Sequence, residues 1–206
     1  MAIEFRRTPE DIAEMSGRVN ERFVFGAARI HDPNYDLEKQ ALIQRYRDLK
    51  KSVPFREALE VVKRFQPFKP DSREPADPTS PTKQFPNSLR KFVAEELGLK
   101  GEKQKKVLFW TTVDSFVDKE FGADAVIEVQ GENGREARLV RLDATLHEPG
   151  EVLKKDIGNR DRVIIYGEIP DPHENKKAYD ERVRAVGKEV VDKLLLQAPA
   201  RAERAA

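Results

Sequence analysis

The chain has 206 residues, and 38 Lys+Arg against 37 Asp+Glu leave a formal charge of +1. It has no cysteine, which excludes a disulfide scaffold, a thiolate zinc site and a cysteine nucleophile. No apolar run approaches the roughly 18–20 residues of a bilayer span, so no membrane association is expected.

The start, Met1-Ala2-Ile3-Glu4-Phe5-Arg6-Arg7, turns polar at once and does not read as a secretory signal. A cytoplasmic location is the expectation. Charged residues make up 36%, well above the usual ~25%, which predicts a modest core and long solvated helices. The balance is uneven: residues 1–110 sum to +5 and residues 111–206 to −4. This is not the strongly basic pattern of a dedicated nucleic-acid-binding domain, although a local patch can still supply phosphate contacts.

The first third reads as helical. Thr8-Pro9-Glu10-Asp11 offers an N-cap, a proline in the first turn and early acids, followed by Ile12, Met15, Val19 and Phe23 at helical spacing. A second helix is expected from about Asp36, with Leu37, Ala41, Leu42, Tyr46 and Leu49. A third is expected from about Pro54, with Ala58, Leu59, Val62 and Phe65. Between 67 and 86 the chain is punctuated by proline and poor in large apolar groups. It predicts a linker, or an arm laid over another surface. The expected organisation is therefore a helical region over 1–66, a linker over 67–86 and an α+β domain over 87–206.

In that last part, Leu89, Phe92, Val93 and Leu97 predict a helix stopped by Gly98. Lys100–Lys106 form a basic turn. Leu108, Phe109, Val113, Phe116, Val117 and Phe121 then favour a helix ending at Gly122. Ala125, Ile127 and Val129 alternate with Asp124, Val126 and Glu128 as a strand, and Gly131-Glu132-Asn133-Gly134 signals a hairpin. The returning strand presents Val140, Leu142, Ala144 and Leu146 on one face and Leu139, Arg141, Asp143 and Thr145 on the other. Val163-Ile164-Ile165-Tyr166 reads as a strand buried on both faces. Asp171-Pro172-His173-Glu174 suggests a capping box for a last helix carrying Tyr179, Val183, Val186, Val190, Val191, Leu194 and Leu195. The fold class expected is α+β: helices, then a small antiparallel or mixed sheet flanked by helices.

The chemistry-bearing feature is the placement of acids in the hairpin. An even-length loop over 131–134 pairs Gln130 with Arg135 and hence Asp124 with Arg141. Paired residues share a face, so Asp124, Glu128, Arg141, Asp143 and Thr145 should lie together. Two carboxylates on a rigid sheet can hold a hard divalent cation through oxygen, here Mg2+ or Mn2+. The plainer alternative is a solvated polar face with a cross-strand Asp124–Arg141 ion pair. His31, His147 and His173 show no metal-ligand spacing.

Gly122-Ala123-Asp124-Ala125-Val126-Ile127, a turn, then Leu139-Val140-Arg141-Leu142-Asp143-Ala144-Thr145 resembles the core of the PD-(D/E)XK nucleases, the restriction-endonuclease-like fold. The resemblance covers about residues 107–167. It implies that Asp124 and Asp143 bind the metal, with Glu128 as an auxiliary acid. The helix before Gly122 would be the first core helix and Val163–Tyr166 a later core strand. Two departures stand out. Thr145 occupies the position of the family's lysine, whose role would pass to Lys154 or Lys155. The family's strand between first helix and first acid has no counterpart in the predicted elements.

The resemblance implies a metal-dependent, nuclease-like protein hydrolysing phosphodiester bonds in DNA or RNA. Lys103, Lys105 and Lys106 would touch the nucleic-acid backbone. The reading from a different class is a non-catalytic adaptor or interaction subunit that docks a protein partner through the N-terminal helical region.

Overall fold

The computed structural model describes residues 18–131, 136–145 and 161–197. The helix start at Thr8-Pro9, the hairpin tip, the segment holding Lys154 and Lys155, and the tail after Pro199 lie outside them.

The helical region contributes α1 (Arg18–Phe25), α2 (Pro33–Asp48) and α3 (Phe55–Lys63). α2 begins where Asp32 accepts the amide of Asn34 and Pro33 takes the first helical position. The helix thus starts three residues before the expected Asp36. α4 (Gln84–Glu96) follows the proline-rich segment and ends at Gly98, whose φ is +70°. A short 3-10 helix (Gly101–Lys106) leads into β1 (Val107–Thr111), then α5 (Phe116–Phe121), β2 (Ala125–Val129), β3 (Arg138–Thr145), β4 (Arg162–Tyr166) and α6 (Lys176–Leu196).

The class is α+β, as expected, with one four-stranded mixed sheet in the order β1-β2-β3-β4. β1, β2 and β3 are antiparallel neighbours, and β4 runs parallel to β3. The helix expected over 108–121 is therefore corrected. Its first part is β1, and only 116–121 is helical. A short apolar run such as Val107–Thr111 is ambiguous by periodicity, and its β-branched and aromatic content decides for strand once a partner lies alongside.

Both faces of the sheet are covered. Val107, Phe109, Ala125, Ile127, Val140, Leu142, Val163 and Ile165 pack with residues of α4 and α6 in one core. On the other face Leu59 of α3 packs on Val126 and Leu139. The polar face of the hairpin is thus roofed, not solvated: Asp124, Glu128 and Arg141 are all buried. β4 is buried on one face only, because Ile164 and Tyr166 remain half-exposed at the sheet edge. The last helix starts later than the Asp171-Pro172 signal. Asp171 accepts the amide of His173 in a local turn, and Asn175 provides the cap.

Two glutamines close open strand margins. Gln66 Oε1 accepts the Thr111 amide at 3.0 Å, while its Nε2 donates to the Thr111 carbonyl at 3.0 Å. Gln197 does the same for Leu139, at 3.1 and 2.7 Å. The proline-rich segment also lies along β1, where the Phe109 amide donates to the Pro78 carbonyl at 2.9 Å.

Where α4 and α6 meet, Gly187 sits in mid-helix. Glycine there costs roughly 1 kcal/mol of helix propensity relative to alanine. The reason is close approach, since a Cβ at Gly187 would lie 2.2 Å from Cδ1 of Phe92. Gly187→Ala should therefore destabilise by about 1–3 kcal/mol despite its better propensity. Urea unfolding checks this, and a more stable variant would refute it.

Candidate functional site

Asp124 is the residue before β2 and Asp143 lies near the end of β3. The observed register pairs Ala125 with Leu142 and Val126 with Arg141. Continued one residue further, it sets Asp124 opposite Asp143. The expected partner of Asp124, Arg141, is therefore wrong by two residues, while the expected sharing of a face holds because parity is unchanged. The expectation rests on a symmetric turn at 131–134, whereas the observed register sets Val129 opposite Arg138.

Several backbone bonds fix this end of the sheet. The Asp124 amide donates to the Leu142 carbonyl at 2.8 Å, and the Thr112 amide donates to the Asp124 carbonyl at 2.8 Å. The Asp124 carboxylate accepts the Ala144 amide at 2.7 Å and is 2% exposed. Burial pushes its pKa up from 3.8 to about 9, and the nearby charges of Glu21 and Asp143 push in the same direction. The Ala144 amide opposes the shift without cancelling it. At neutral pH this carboxyl holds its proton unless a cation replaces it.

Asp143 is ion-paired with Arg162, the first residue of β4. Gly122, with φ +57°, ends α5 in the left-handed region and leaves room for that guanidinium. A Cβ at Gly122 would stand 3.0 Å from Arg162 Nη2. Arg141 turns to Asp161 at 2.7 Å, and its guanidinium lies 5.3 Å from the centre of the Phe55 ring.

The other residues singled out in the sequence fall elsewhere. Glu128 is four residues along β2 from Asp124, about 13 Å at strand rise. It accepts Trp110 Nε1 at 2.7 Å and the Lys63 ammonium at 2.7 Å. Lys103, Lys105 and Lys106 precede β1 at the Val107–Val129 end, whereas the aspartates adjoin the Thr111–Ala125 end. About 15 Å of strand separates the two. Lys105 is paired with Glu102 at 2.7 Å. Thr145 is two residues past Asp143 on the same face. Lys154 and Lys155 lie outside the described residues.

Glu21 and Arg162 escaped the sequence reading. Glu21 comes from a helix some hundred residues away, and no local spacing connects it to the hairpin. Arg162 could have been found by continuing the side-chain alternation into the third predicted strand. That step needs the parallel register, which the sequence does not print.

Asp124 and Asp143 suit the oxygen preference of a hard cation that keeps several waters. Among the described residues, no group of three or more His, Asp or Glu stands close enough to hold an ion by protein atoms alone. Among the described residues no helix is long and apolar enough to cross a membrane. Comparison with protein-family models, with curated proteins and with solved structures finds no match for this chain.

Proposed function

We propose that the chain is a nuclease-like, divalent-cation-dependent phosphodiesterase acting on DNA or RNA. The observation that carries this reading is the opposition of Asp124 and Asp143 across two antiparallel strands, with one carboxyl buried at an electrostatic cost that a cation would relieve. The resemblance to PD-(D/E)XK nucleases gives the first core helix to the residues before Gly122; with Val107–Thr111 a strand, that part would pass to α4, and β1, followed by the short α5, would be the strand before the first acid. β4 runs parallel beside the strand of the second acid.

Asp124 and Asp143 would hold Mg2+ or Mn2+, which supplies a Lewis acid and an activated water when bound. Arg162 takes the cationic place that Thr145 leaves vacant. A guanidinium binds phosphate as well as it binds carboxylate, so Arg162 can exchange Asp143 for a substrate phosphate as the cation arrives. Asp124 then loses its proton to solvent and presents a charged oxygen.

The second reading, an adaptor without chemistry, draws on the same Arg162–Asp143 ion pair, which closes the acid pair in a protein that never binds an ion.

A melt with and without Mn2+ separates the two. Saturation to about 100 Kd should stabilise the chain by about 2.7 kcal/mol, several degrees in Tm. Asp124→Asn and Asp143→Asn should each remove that response and abolish Mn2+-dependent cleavage of plasmid or single-stranded substrate. An unchanged melt together with no Mn2+-dependent cleavage in wild type leaves the adaptor, whereas undiminished cleavage in both variants would end the assignment of the chemistry to Asp124 and Asp143.

A further inference from the structure

The two margins of the sheet differ. Along β1, Arg90 Nη1 donates to the Val107 carbonyl at 3.3 Å, the Phe109 amide donates to the Pro78 carbonyl, and Gln66 takes both groups of Thr111. The margin at β4 is built otherwise. The Asp161 carbonyl accepts the Arg141 amide and the Gly167 amide donates to the Thr145 carbonyl, each at 2.7 Å. These bonds aim the odd-numbered residues of β4 at β3, so the backbone N–H and C=O of Arg162, Ile164 and Tyr166 point away from the sheet. The Tyr166 carbonyl accepts the Arg182 guanidinium. Among the described residues, neither backbone group of Ile164 has a partner, and β4 is the last strand of the sheet.

An open edge of β-branched and aromatic residues is a template for another strand. Val163 and Ile165 belong to the core, whereas Ile164 and Tyr166 are half-exposed on the face that carries Asp143. The strand is also complementary to itself. A two-fold contact pairs β4 with its own copy antiparallel. The register that uses all five residues, Arg162–Tyr166, is centred on Ile164. It sets Ile164 opposite Ile164 and Arg162 opposite Tyr166, and no like charges face each other. These are the residues whose peptide groups point outward, so each can exchange both bonds with its opposite. The Arg162 guanidinium, held by Asp143, can stack on the incoming tyrosine ring.

We infer that β4 is a self-association edge, through which two copies of this chain join their four-stranded sheets into one continuous sheet centred on Ile164. The two-fold axis stands perpendicular to that sheet, so both acid pairs lie on the same face. Asp143 is opposite Ile164 in the observed register, which sets the two Asp143 residues three strand spacings apart, about 14 Å. The partner's Tyr166 then stands beside the Arg162 that holds Asp143. The dimer depends on β4 alone; only its bearing on cleavage rests on the nuclease-like reading.

Sedimentation of the full chain between about 1 and 200 μM should show a monomer–dimer equilibrium, because a five-residue edge makes a small interface. Ile164→Lys sets two ammonium groups opposite each other, and Ile164→Pro removes an N–H that the fold itself does not use. Both should leave the chain monomeric over that range, with unchanged far-UV circular dichroism. The chain has no cysteine, so single cysteines report the register. Ile164→Cys should cross-link to its twin on oxidation, because hydrogen-bonded antiparallel partners have Cα atoms about 5.5 Å apart. Tyr166→Cys should not, because the partner's Arg162 lies opposite and four residues of strand put its twin about 14 Å away. A monomer at every concentration, a dimer that survives Ile164→Lys, or equal cross-linking at both positions would overturn the inference. Failure of the catalytic reading looks different: the chain dimerises through Ile164, yet does not cleave with Mn2+.

Discussion

Asp124→Asn should make the protein more stable at pH 8 while removing its response to Mn2+. The carboxyl titrates near pH 4 in the unfolded chain and at about 9 in the fold. Between those values the native state binds the extra proton. Stability therefore falls as pH rises through the window, by at most about 1.4 kcal/mol per pH unit for one group. Asparagine imitates the protonated acid: it keeps an oxygen for the Ala144 amide and carries no charge to repel Glu21 or Asp143. The expected gain at pH 8 is about 2 kcal/mol, or roughly 4–8 °C in Tm, shrinking toward zero near pH 4. A series of melts from pH 5 to 9 checks it. Wild type should slope downward more steeply than the variant, the difference between the two widening as pH rises. A variant less stable than wild type at pH 8 would show that the carboxylate is paired in the fold rather than strained. Active sites commonly keep such destabilising groups for function, which is why the gain in stability and the loss of cation binding are expected together.

Lys63→Met should cost about 3 kcal/mol, roughly 6–12 °C in Tm for a chain of this size. Lys63 and Glu128 form an ion pair at 2.7 Å, with side chains only 14% and 10% exposed. The ammonium also lies 5.3 Å from the Trp110 ring, whose indole N–H is the other donor to Glu128. Methionine keeps the length and the apolar stem but leaves a buried carboxylate with one neutral donor. The second change, Glu128→Gln in the Lys63→Met background, should restore much of the loss, because an uncharged amide no longer needs the cation. Chemical denaturation of the single and double variants gives the coupling directly. Additive effects would mean that the two side chains stabilise independently. The same pair explains why Glu128 stands apart from the aspartates: it joins α3 to the sheet.

The contrast between the two acids shows what was legible in the sequence. Alternation alone places Asp124, Glu128 and Asp143 on one face, because the period of a strand is two and any even loop preserves parity. Alternation does not say which residues are opposite, since that depends on the length of the hairpin tip. Nor does it say what covers the face, because α3 comes from a segment about seventy residues earlier. Composition marked α2, α3, α4 and α6 through apolar spacing and end signals. It misread Val107–Thr111, where five apolar or β-branched residues fit either period until β2 lies beside them. Arg162, Lys63 and Glu21 were invisible for one reason: each comes near the acids of the hairpin only through tertiary contact.

Gln66 and Gln197 have a chemical consequence of their own. A carboxamide offers one donor and one acceptor at the spacing of a peptide group, so each stands in for a missing neighbouring strand at Thr111 and Leu139. Glutamate would turn an oxygen toward a carbonyl, lysine would turn a proton toward an amide, and asparagine is a methylene too short. Natural variation should accordingly be narrow at these two positions, which carry no catalytic burden, and the sheet can add no foreign strand at either place.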